Sequence, residues 1–559
     1  MGAPLNCIIN YPLDREILTE LARLELHVAI AEHATMQQWG NYMLIDDDVV
    51  LPNDRDRLEE IEMMLMTLEQ VPWGLFALGA IGLRGKSLAS SKRIVQIEAV
   101  ERLSCYIVHA RAFAHCAEVF RTRLLAARLR LLGIDCNCTG SPGLEDGWIA
   151  LSRNWAHATP EAGAGKSAAI LENTAFDCTI HCEATSPPSV PSREAVVAFS
   201  VSCRLHYELY HSTLESLRAR GIDCCLILED VTDTGFFDEL TEVAQRANHA
   251  GISVVLQSTV VRRGIIFEIL VSPYFLPRIA RSGRVHVRAM YGIGKDNWDF
   301  AAWNVLYDKI LCYSQYHVDN LQIGDNCVVV GNPHFDKWYR DEIESIATYL
   351  ELAPHKPTIL YCPTYGVLSS LQAWASDLSK LQNDYNIIVK LHHRSACAKE
   401  CASEHMIARQ LFRRVVTGAQ WNMALLKISD FVLTDHSSFI FDAIQANRRS
   451  IILSSVESEL AIDQGMGWTH ILSAEVRIRS QLPTATDIEQ LRFYLSPDHD
   501  WQAKQATFDD IRARYCDPRQ DGQAGSRAAQ CIAGLLENRV ENKGHQLRSC
   551  LRGMVLGSK

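Results

Sequence analysis

The segment 428–453 constrains the fold of this 559-residue chain more than any other stretch. It reads ISDFVLTDHSSFIFDAIQANRRSIIL, in which the apolar run 431–433 predicts a buried strand and residues 439–446 have helical spacing. A second strand is predicted from residue 451. A strand, a polar loop, a helix and a strand in this order predict a parallel sheet with the loop at the carboxyl ends of its strands.

The loop 434–438 carries the hydroxyls and charges of TDHSS at the start of the predicted helix. A helix start offers unpaired backbone N–H groups and a positive dipole end, which suits a diphosphate. An ordinary capping turn is the plainer interpretation, because Asp and Ser are common N-cap residues. Two further predicted strands end in polar clusters, CPTYG at 362–366 and KLHHR at 390–394. In a parallel sheet all three ends open onto one crevice, which favours a nucleotide diphosphate site.

Length, charge and cysteine usage narrow the class of protein. A chain of 559 residues is too long for one core and predicts several domains. A net charge of -11 with a pI near 6.0 argues against a general nucleic-acid binder. The 18 cysteines are scattered without zinc-site spacing, which indicates free thiols in a reducing compartment. With neither a signal peptide nor an apolar run of ~18 to 20 residues, we expect a cytoplasmic protein, peripheral at most at the inner face of the membrane.

The first quarter of the chain contains the segment 41–52, in which a strand-like apolar run ends at three consecutive aspartates, residues 46–48. Asp46 and Asp48 are candidate ligands for Mg²⁺ or Mn²⁺, since carboxylates at a strand end hold such hard cations in A-type glycosyltransferases, whereas the alternative is a solvated acidic turn. The segments 8–15, 25–33, 71–79, 105–111 and 144–148 resemble, in this order, the family-25 glycosyltransferases of lipopolysaccharide synthesis. The resemblance implies a small GT-A-like α/β domain over 1–153. Its first and acidic strands are closer together than in that family, which leaves its activity open.

Residues 154–194 are rich in Ala, Gly, Ser, Thr and Pro and predict a flexible linker. Gly165-Lys166-Ser167 matches the end of a Walker A motif. Its first glycine would have to be residue 160, which is Pro160, so a phosphate-binding P-loop is excluded.

From residue 195 the pattern alternates between strands and helices. Strands are predicted at 196–201, 224–228, 253–256 and 269–271, helices at 207–218 and 237–249, and further strand-like runs at 307–313 and 328–333. A second alternating unit runs from about 356 to 453, and a mainly helical end follows. The pattern predicts a GT-B-like pair of Rossmann-type doubly wound domains: an acceptor half over 195–346, a donor half over 347–538, and a tail over 539–559.

Six ordered motifs make the assignment of this region more specific. They occupy 288–298, 303–308, 330–336, 363–366, 389–393 and 433–442. In this order they resemble the CDP-glycerol glycerophosphotransferase family, which includes teichoic-acid polymerases. The resemblance implies transfer of a polyol phosphate from CDP-glycerol or another CDP-polyol to a glycan or lipid-linked acceptor, in capsule, teichoic-acid or lipopolysaccharide-type polymers, with no cofactor assigned to this half.

The same resemblance implies roles for individual residues. Catalysis is assigned to Tyr291, Lys295, His392 and His393. Donor binding is assigned to Thr364, Tyr365, Gly366, Lys390, Arg394, Asp435, Ser437, Ser438 and Asp442.

One departure from the family concerns the base that activates the acceptor hydroxyl. Many members have a His-Gly pair where this chain has Tyr291-Gly292. A tyrosine with a pKa of ~10 is a poor base at neutral pH, so the base is His286, a histidine of the second motif, or absent. Core packing is an equally good interpretation of Tyr291. Two alternative functions follow: a GT-B glycosyltransferase with a nucleotide-sugar donor, or a catalytically weak nucleotide- or glycan-binding scaffold.

The tail 539–559 mixes basic residues with leucine, methionine and valine. This composition is compatible with weak contact to an anionic membrane surface. A disordered, solvated tail is the favoured prediction, since chain ends are often poorly ordered.

Overall fold

The computed structural model describes residues 15–38, 41–45, 73–81, 84–88, 91–99, 102–134, 148–151, 196–231, 234–343, 345–397, 401–464, 472–537 and 543–556. They divide into two compact units, 1–192 and 193–559. The candidate metal ligands Asp46 and Asp48 and the whole predicted linker 154–194, with its Walker-like segment 165–167, lie outside the described residues.

The first unit is a small α/β fold. Its strands are β1 Asn41–Ile45, β2 Leu75–Ile81, β3 Arg84–Leu88, β4 Ser91–Ala99, β5 Arg102–His109 and β6 Trp148–Leu151, in the order β1-β5-β2-β6-β4-β3. β2 and β6 are parallel, and the other described pairs are antiparallel.

Two helices of this unit, Arg15–Met36 and Phe113–Leu131, pack against each other. His27 of the first helix hydrogen-bonds the hydroxyl of Tyr106 on β5 at 3.0 Å and meets the ring of Phe120 edge-on, which joins both helices to the sheet. The predicted α/β class is confirmed, and the family-25 resemblance stays a prediction.

The second unit begins with a seven-stranded parallel sheet. Its strands are β7 Val197–Val201, β8 Cys224–Leu228, β9 Ser253–Leu256, β10 Phe267–Ser272, β11 Gly283–Ala289, β12 Lys309–Cys312 and β13 Cys327–Val329. Their order is β13-β12-β11-β10-β7-β8-β9. β7 and β8 are buried along their whole length, as expected for strands covered by helices on both faces.

Helices of this half include Arg204–Ala219, Phe237–His249, Gln257–Arg263, Asp296–Asp299 and Gln315–Leu321. The strands and helices predicted here are confirmed to within a few residues. β11 was not predicted as a strand, because His286 and Arg288 interrupt its apolar pattern. Both of these polar side chains are buried in the structure and satisfied by hydrogen bonds.

A second parallel sheet follows, with β14 Thr358–Cys362, β15 Asn386–Lys390, β16 Val415–Val416, β17 Phe431–Thr434, β18 Arg449–Leu453 and β19 Thr484–Ala485. The order is β16-β15-β14-β17-β18-β19. In both sheets the strand order reverses beside the first strand, between β7 and β10 and between β14 and β17. Two doubly wound sheets are therefore confirmed, and each has the switch point at which such folds bind ligands.

The remaining helices of the second unit, from the end of the first half onwards, come in chain order. They are Asp336–Tyr339, Leu371–Lys380, His393–Cys397, Ala402–Leu411, Asn422–Ile428, Phe439–Gln445, Val456–Asp463, Ala474–Arg477, Ile488–Leu495, Trp501–Tyr515, Ala524–Glu537 and Lys543–Val555.

The last two helices return to the first parallel sheet. Gly525 lies so close to Ser212 that a Cβ atom would come within 2.6 Å of its backbone, so glycine permits this approach. In the helix Lys543–Val555, Arg548 and Arg552 donate to the buried carboxylate of Asp308 at 3.2 and 3.1 Å. The prediction of a disordered tail is wrong for residues 543–556, because these cations neutralise a buried charge in place of facing solvent or a membrane.

None of the described helices is long and apolar enough to cross a membrane. The cysteines whose side chains are described are free thiols, and most are buried, as predicted.

Candidate functional site

A cleft of about 110 Å³ lies between the two halves of the second unit. The loops after β14, β15 and β17 all reach it, so the three polar strand ends meet at one crevice. Tyr291, Asn332 and His334 line it from the first half. Of the residues predicted for the site, those that line the cleft are Tyr291, Lys390, His392, His393, Ser437, Ser438 and Asp442.

Asp435 organises the switch point of the second sheet. Its buried carboxylate accepts hydrogen bonds from the backbone N–H of Thr364 at 2.9 Å, the backbone N–H of Ser370 at 2.8 Å and the Ser370 hydroxyl at 2.9 Å. Burial raises the pKa of Asp435, and these donors oppose the rise. Asp435 therefore ties the loop after β17 to the loop after β14 and is a positioning residue. Gly366, in the loop after β14, has φ +65° and donates its backbone N–H to the Glu404 carboxylate at 2.7 Å.

The two serines differ in what their hydroxyls do. The Ser437 hydroxyl accepts a weak hydrogen bond from the N–H of Phe439 at 3.3 Å. Ser438 is the N-cap of the helix Phe439–Gln445, yet its side chain makes no capping hydrogen bond. Both hydroxyls line the cleft at the start of this seven-residue helix and are candidate donors to an anion.

Lys390 supplies the positive charge of the cleft. It ends β15, and its ammonium lies 5.7 Å from the ring centre of Phe439. Burial lowers the pKa of Lys390, and the nearby carboxylate of Asp442 opposes this. Burial also raises the pKa of Asp442 to about 7. Below the raised pKa of Asp442 its carboxyl group is protonated, and the half-buried Lys390 ammonium is then the charged group of this pair, which suits an anionic ligand.

His392 and His393 present neutral hydrogen-bond donors. The N–H of Arg394 donates to Nδ1 of His392 at 3.2 Å, so the ring proton lies on Nε2. Burial and the neighbouring positive groups hold the pKa of His392 well below its usual value, and burial lowers the pKa of His393 to about 3. The Tyr365 ring packs on the His392 ring with 4.6 Å between their centroids, and the Arg394 guanidinium lies over the Tyr365 ring.

Tyr291 and Lys295 have different surroundings. Tyr291 meets His206 edge-on at 6.2 Å, and burial raises its pKa, so it stays a neutral phenol. Lys295 has φ +60° and donates its Nζ to the His436 carbonyl at 3.0 Å, with Glu475 at 3.4 Å. It bridges the two halves and is not among the lining residues, although its charge contributes to the lowered pKa of His392.

A buried hydrogen-bond network accounts for several polar residues between 286 and 308. The fully buried Arg288 donates to the Pro273 carbonyl at 2.9 Å, to Asn304 Oδ1 at 2.7 Å and to Asp299 Oδ1 at 2.8 Å. His286 is also buried: its Nε2 bonds to the Gly283 carbonyl at 3.1 Å, and burial lowers its pKa to about 4. His286 does not line the cleft, so the structure does not place it where an acceptor hydroxyl would lie.

Three polar residues that line the cleft, Asn332, His334 and Asn422, were not predicted as site residues. Asn422 begins the helix Asn422–Ile428, and His334 stands in the motif 330–336. Asn422 Oδ1 and His334 Nε2 are buried and have no hydrogen-bond partner among the described residues. In the sequence these residues follow turns, and this position does not distinguish them from polar turn residues that have no role in a site.

Among the residues that the structure describes, no three His, Cys, Asp or Glu side chains are grouped to hold a metal ion.

Comparison with protein families identifies part of the second unit. Residues 293–457 match the sequence model of the CDP-Glycerol:Poly(glycerophosphate) glycerophosphotransferase family. The resemblance predicted from the motifs is confirmed over these residues. The match includes Lys390, both histidines and both serines of the cleft.

Solved structures show more distant likeness. A wall teichoic acid polymerase TagF is 14% identical with a TM-score of 0.43, covering 62% of this chain and 90% of its own. A UDP-GlcNAc 2-epimerase from Neisseria meningitidis, bound to UDP-GlcNAc, is 11% identical with a TM-score of 0.41, covering 60% and 99%. Likeness at these values does not carry an activity across. A search of the curated proteins returned no match.

Proposed function

We propose that the second unit transfers glycerol phosphate, or a related polyol phosphate, from a CDP donor to a hydroxyl of a cell-surface glycan or lipid-linked acceptor. The observation that carries this proposal is the set of hydroxyls, neutral imidazole donors and one ammonium that line a single cleft, inside the segment 293–457 that matches the family. Phosphoryl transfer needs positioning and charge stabilisation more than covalent catalysis, and these groups supply both.

The donor diphosphate takes the second half of the cleft in this proposal. Ser437, Ser438 and Lys390 bind its oxygens, and Asp435 holds the loops that carry them. Nε2–H of His392 donates to the charge that develops on the departing CMP. Hydrogen bonds to charged oxygens are stronger than neutral ones, so each of these groups contributes measurably to affinity or turnover.

The cleft is too small for the proposed donor unless the two halves move apart. Its volume of about 110 Å³ is below the ~300 Å³ of the smallest usual ligand sites. Donor binding in this proposal therefore widens the gap between the two halves, and closure around the donor then excludes water.

We place the reaction at the inner face of the cell membrane, where a lipid-linked acceptor would be presented. Leu547, Met554 and Val555 of the helix Lys543–Val555 are 61%, 70% and 62% exposed, and support a weak contact there. Arg548 and Arg552 of this helix are paired with Asp308, so the exposed apolar side chains remain for such a contact.

The test uses the full-length protein with a panel of CDP-polyols and nucleotide sugars. The correct donor raises thermal stability by mass action, about 2.7 kcal/mol at a hundredfold excess over Kd. Mass spectrometry of acceptor products then shows whether a polyol phosphate is added. Stabilisation by a UDP-sugar alone would favour the nucleotide-sugar glycosyltransferase, and binding of a CDP-polyol without turnover would favour the scaffold.

A matched pair of lysine variants locates the donor. Lys390→Met removes the cleft ammonium and should weaken CDP-polyol binding roughly ten- to a hundredfold. Lys380→Met removes an exposed ammonium that pairs with Asp377 on the helix Leu371–Lys380, and should bind as the parent protein does. Equal affinity in both variants would contradict the placement of the diphosphate.

A further inference from the structure

The transfer needs a group that removes the proton of the acceptor hydroxyl, and most polar groups of the cleft are unsuited to that step. Burial raises the pKa of Tyr291, so its phenol keeps its proton. Nδ1 of His392 is occupied by the Arg394 N–H, which leaves Nε2 as a donor. His393 lines the cleft from the donor half, with its ring centroid 4.0 Å from that of His392, so it lies on the side of the leaving group. Tyr291 and His392 donate hydrogen bonds and do not accept a proton.

His334 has the opposite tautomer. Its imidazole hydrogen-bonds the backbone carbonyl of Glu208, and Nε2 has no hydrogen-bond partner among the described residues, so Nδ1 is the donor to that carbonyl. Nε2 therefore carries a free lone pair, and His334 lines the cleft. The residue is fixed in place, since its own N–H donates to the Asn332 side chain at 3.2 Å.

The charges around His334 keep this lone pair available at neutral pH. Burial lowers the pKa of His334 below its usual value. Lys390 at the end of β15 and Lys337 on the helix Asp336–Tyr339 lower it further, and Glu208 on the helix Arg204–Ala219 opposes them. The ring is therefore neutral near pH 7 and able to accept a proton.

We propose that His334 is the general base that activates the acceptor hydroxyl, an assignment that rests on the function proposed above. Nε2 takes the hydroxyl proton while the hydroxyl oxygen forms a bond to the glycerol-bearing phosphorus. The bond from that phosphorus to the bridging oxygen of the diphosphate breaks, and CMP leaves with the bonding electron pair. The imidazolium of His334 then releases its proton to solvent. Tyr291 and His334 both line the cleft from the half opposite the serines and Lys390, so the acceptor and the leaving group approach from opposite sides.

Asp442 is the rival base, because it also lines the cleft. It lies on the helix Phe439–Gln445, in the same half as Lys390 and the two serines, and its charge interacts with Lys390. A carboxylate on the donor side would repel the diphosphate oxygens as it approached the hydroxyl.

The test measures transfer and donor binding separately. His334→Gln should lower kcat by about a hundred- to ten-thousandfold and leave the Kd for CDP within twofold. In His334→Ala, added imidazole should restore part of the turnover, which a purely structural role would not allow. His286→Gln is the matched control: it removes a buried histidine of similarly lowered pKa outside the cleft and should retain turnover.

The pH profile gives an independent readout. Wild-type kcat/KM should fall tenfold per pH unit below the pKa of His334, under the usual value of ~6.5, and this limb should vanish in His334→Gln. A limb near pH 7 that disappears in Asp442→Asn would overturn the assignment in favour of Asp442. Undiminished transfer by His334→Gln would overturn the assignment alone. No transfer by the wild-type protein from any CDP-polyol would overturn the proposed function, and the base with it.

Discussion

Replacing Ser438 by alanine separates a ligand-binding hydroxyl from a capping hydroxyl. The side chain makes no capping hydrogen bond although the residue occupies the N-cap position, so the fold loses little when it is removed. A hydrogen bond from this hydroxyl to a charged phosphate oxygen is worth about 1.5 to 3 kcal/mol. Since about 1.4 kcal/mol corresponds to a tenfold change, the Kd for the CDP donor should rise roughly ten- to a hundredfold in Ser438→Ala. Unfolding free energy should change by less than ~0.5 kcal/mol.

Ser455 provides the matched control within the same half of the protein. Its hydroxyl accepts from the Ser458 N–H at 3.2 Å and forms a complete capping box at the start of the helix Val456–Asp463. Ser455→Ala should therefore cost about 1 kcal/mol of stability and leave donor affinity unchanged. The two variants thus have opposite expected effects.

Isothermal titration calorimetry with a CDP-polyol measures affinity, and differential scanning fluorimetry measures stability, in both variants and the parent. A loss of ~1 kcal/mol lowers Tm by about 2 °C in a domain of this size. If Ser438→Ala bound donor as tightly as the parent while losing about 2 °C, as expected for Ser455→Ala, the loop would be an ordinary capping turn and the reasoning would be refuted.

Three further predictions concern buried carboxylates. Asp435→Ala leaves the Thr364 N–H and its neighbours unpaired, so donor affinity and Tm should both fall, unlike in Ser438→Ala; unchanged affinity in titration calorimetry would argue against a positioning role. Asp308→Ala unpairs buried cations at a cost of about 3 to 5 kcal/mol, and hydrogen exchange should show lost protection in residues 543–555; full protection there would contradict this. Burial raises the pKa of Asp442 to about 7 from ~3.9 unfolded, so the native state binds more protons between these values and stability falls as pH rises through them. Asp442→Asn should therefore raise Tm more at pH 8 than at pH 4.5 by scanning calorimetry, and an equal gain at both would count against the shifted pKa.

Local pattern was enough for the class of fold. The apolar runs of β8 and β17 and the helical spacing of Arg204–Ala219 predicted a doubly wound arrangement, because a continuously apolar strand is stable only when helices cover both its faces. The sequence did not predict β11 as a strand. Its buried His286 and Arg288 look like the exposed polar positions of a loop when their hydrogen-bond partners are not known.

Long-range pairing decided the end of the chain. The residue composition of 543–556 predicted a basic, partly apolar tail. Arg548 and Arg552 neutralise Asp308, more than two hundred residues earlier, and the sequence around the two arginines does not indicate this pairing. A buried carboxylate needs such partners, but the sequence around Asp308 does not say where they come from.

The chain's sequence by itself determined the parallel sheets, the switch-point loops and the motif order, because strand and helix periodicity and turn chemistry act over a few residues. Only the tertiary structure decided which polar side chains share the cleft. In the folded protein Asp435 joins two loops, Lys295 bridges the two halves, and Nε2 of His334 has no hydrogen-bond partner in the described part of the chain. The burial of a group, its tautomer and its pKa depend on neighbours that are distant along the chain, so these properties exist only in the folded protein.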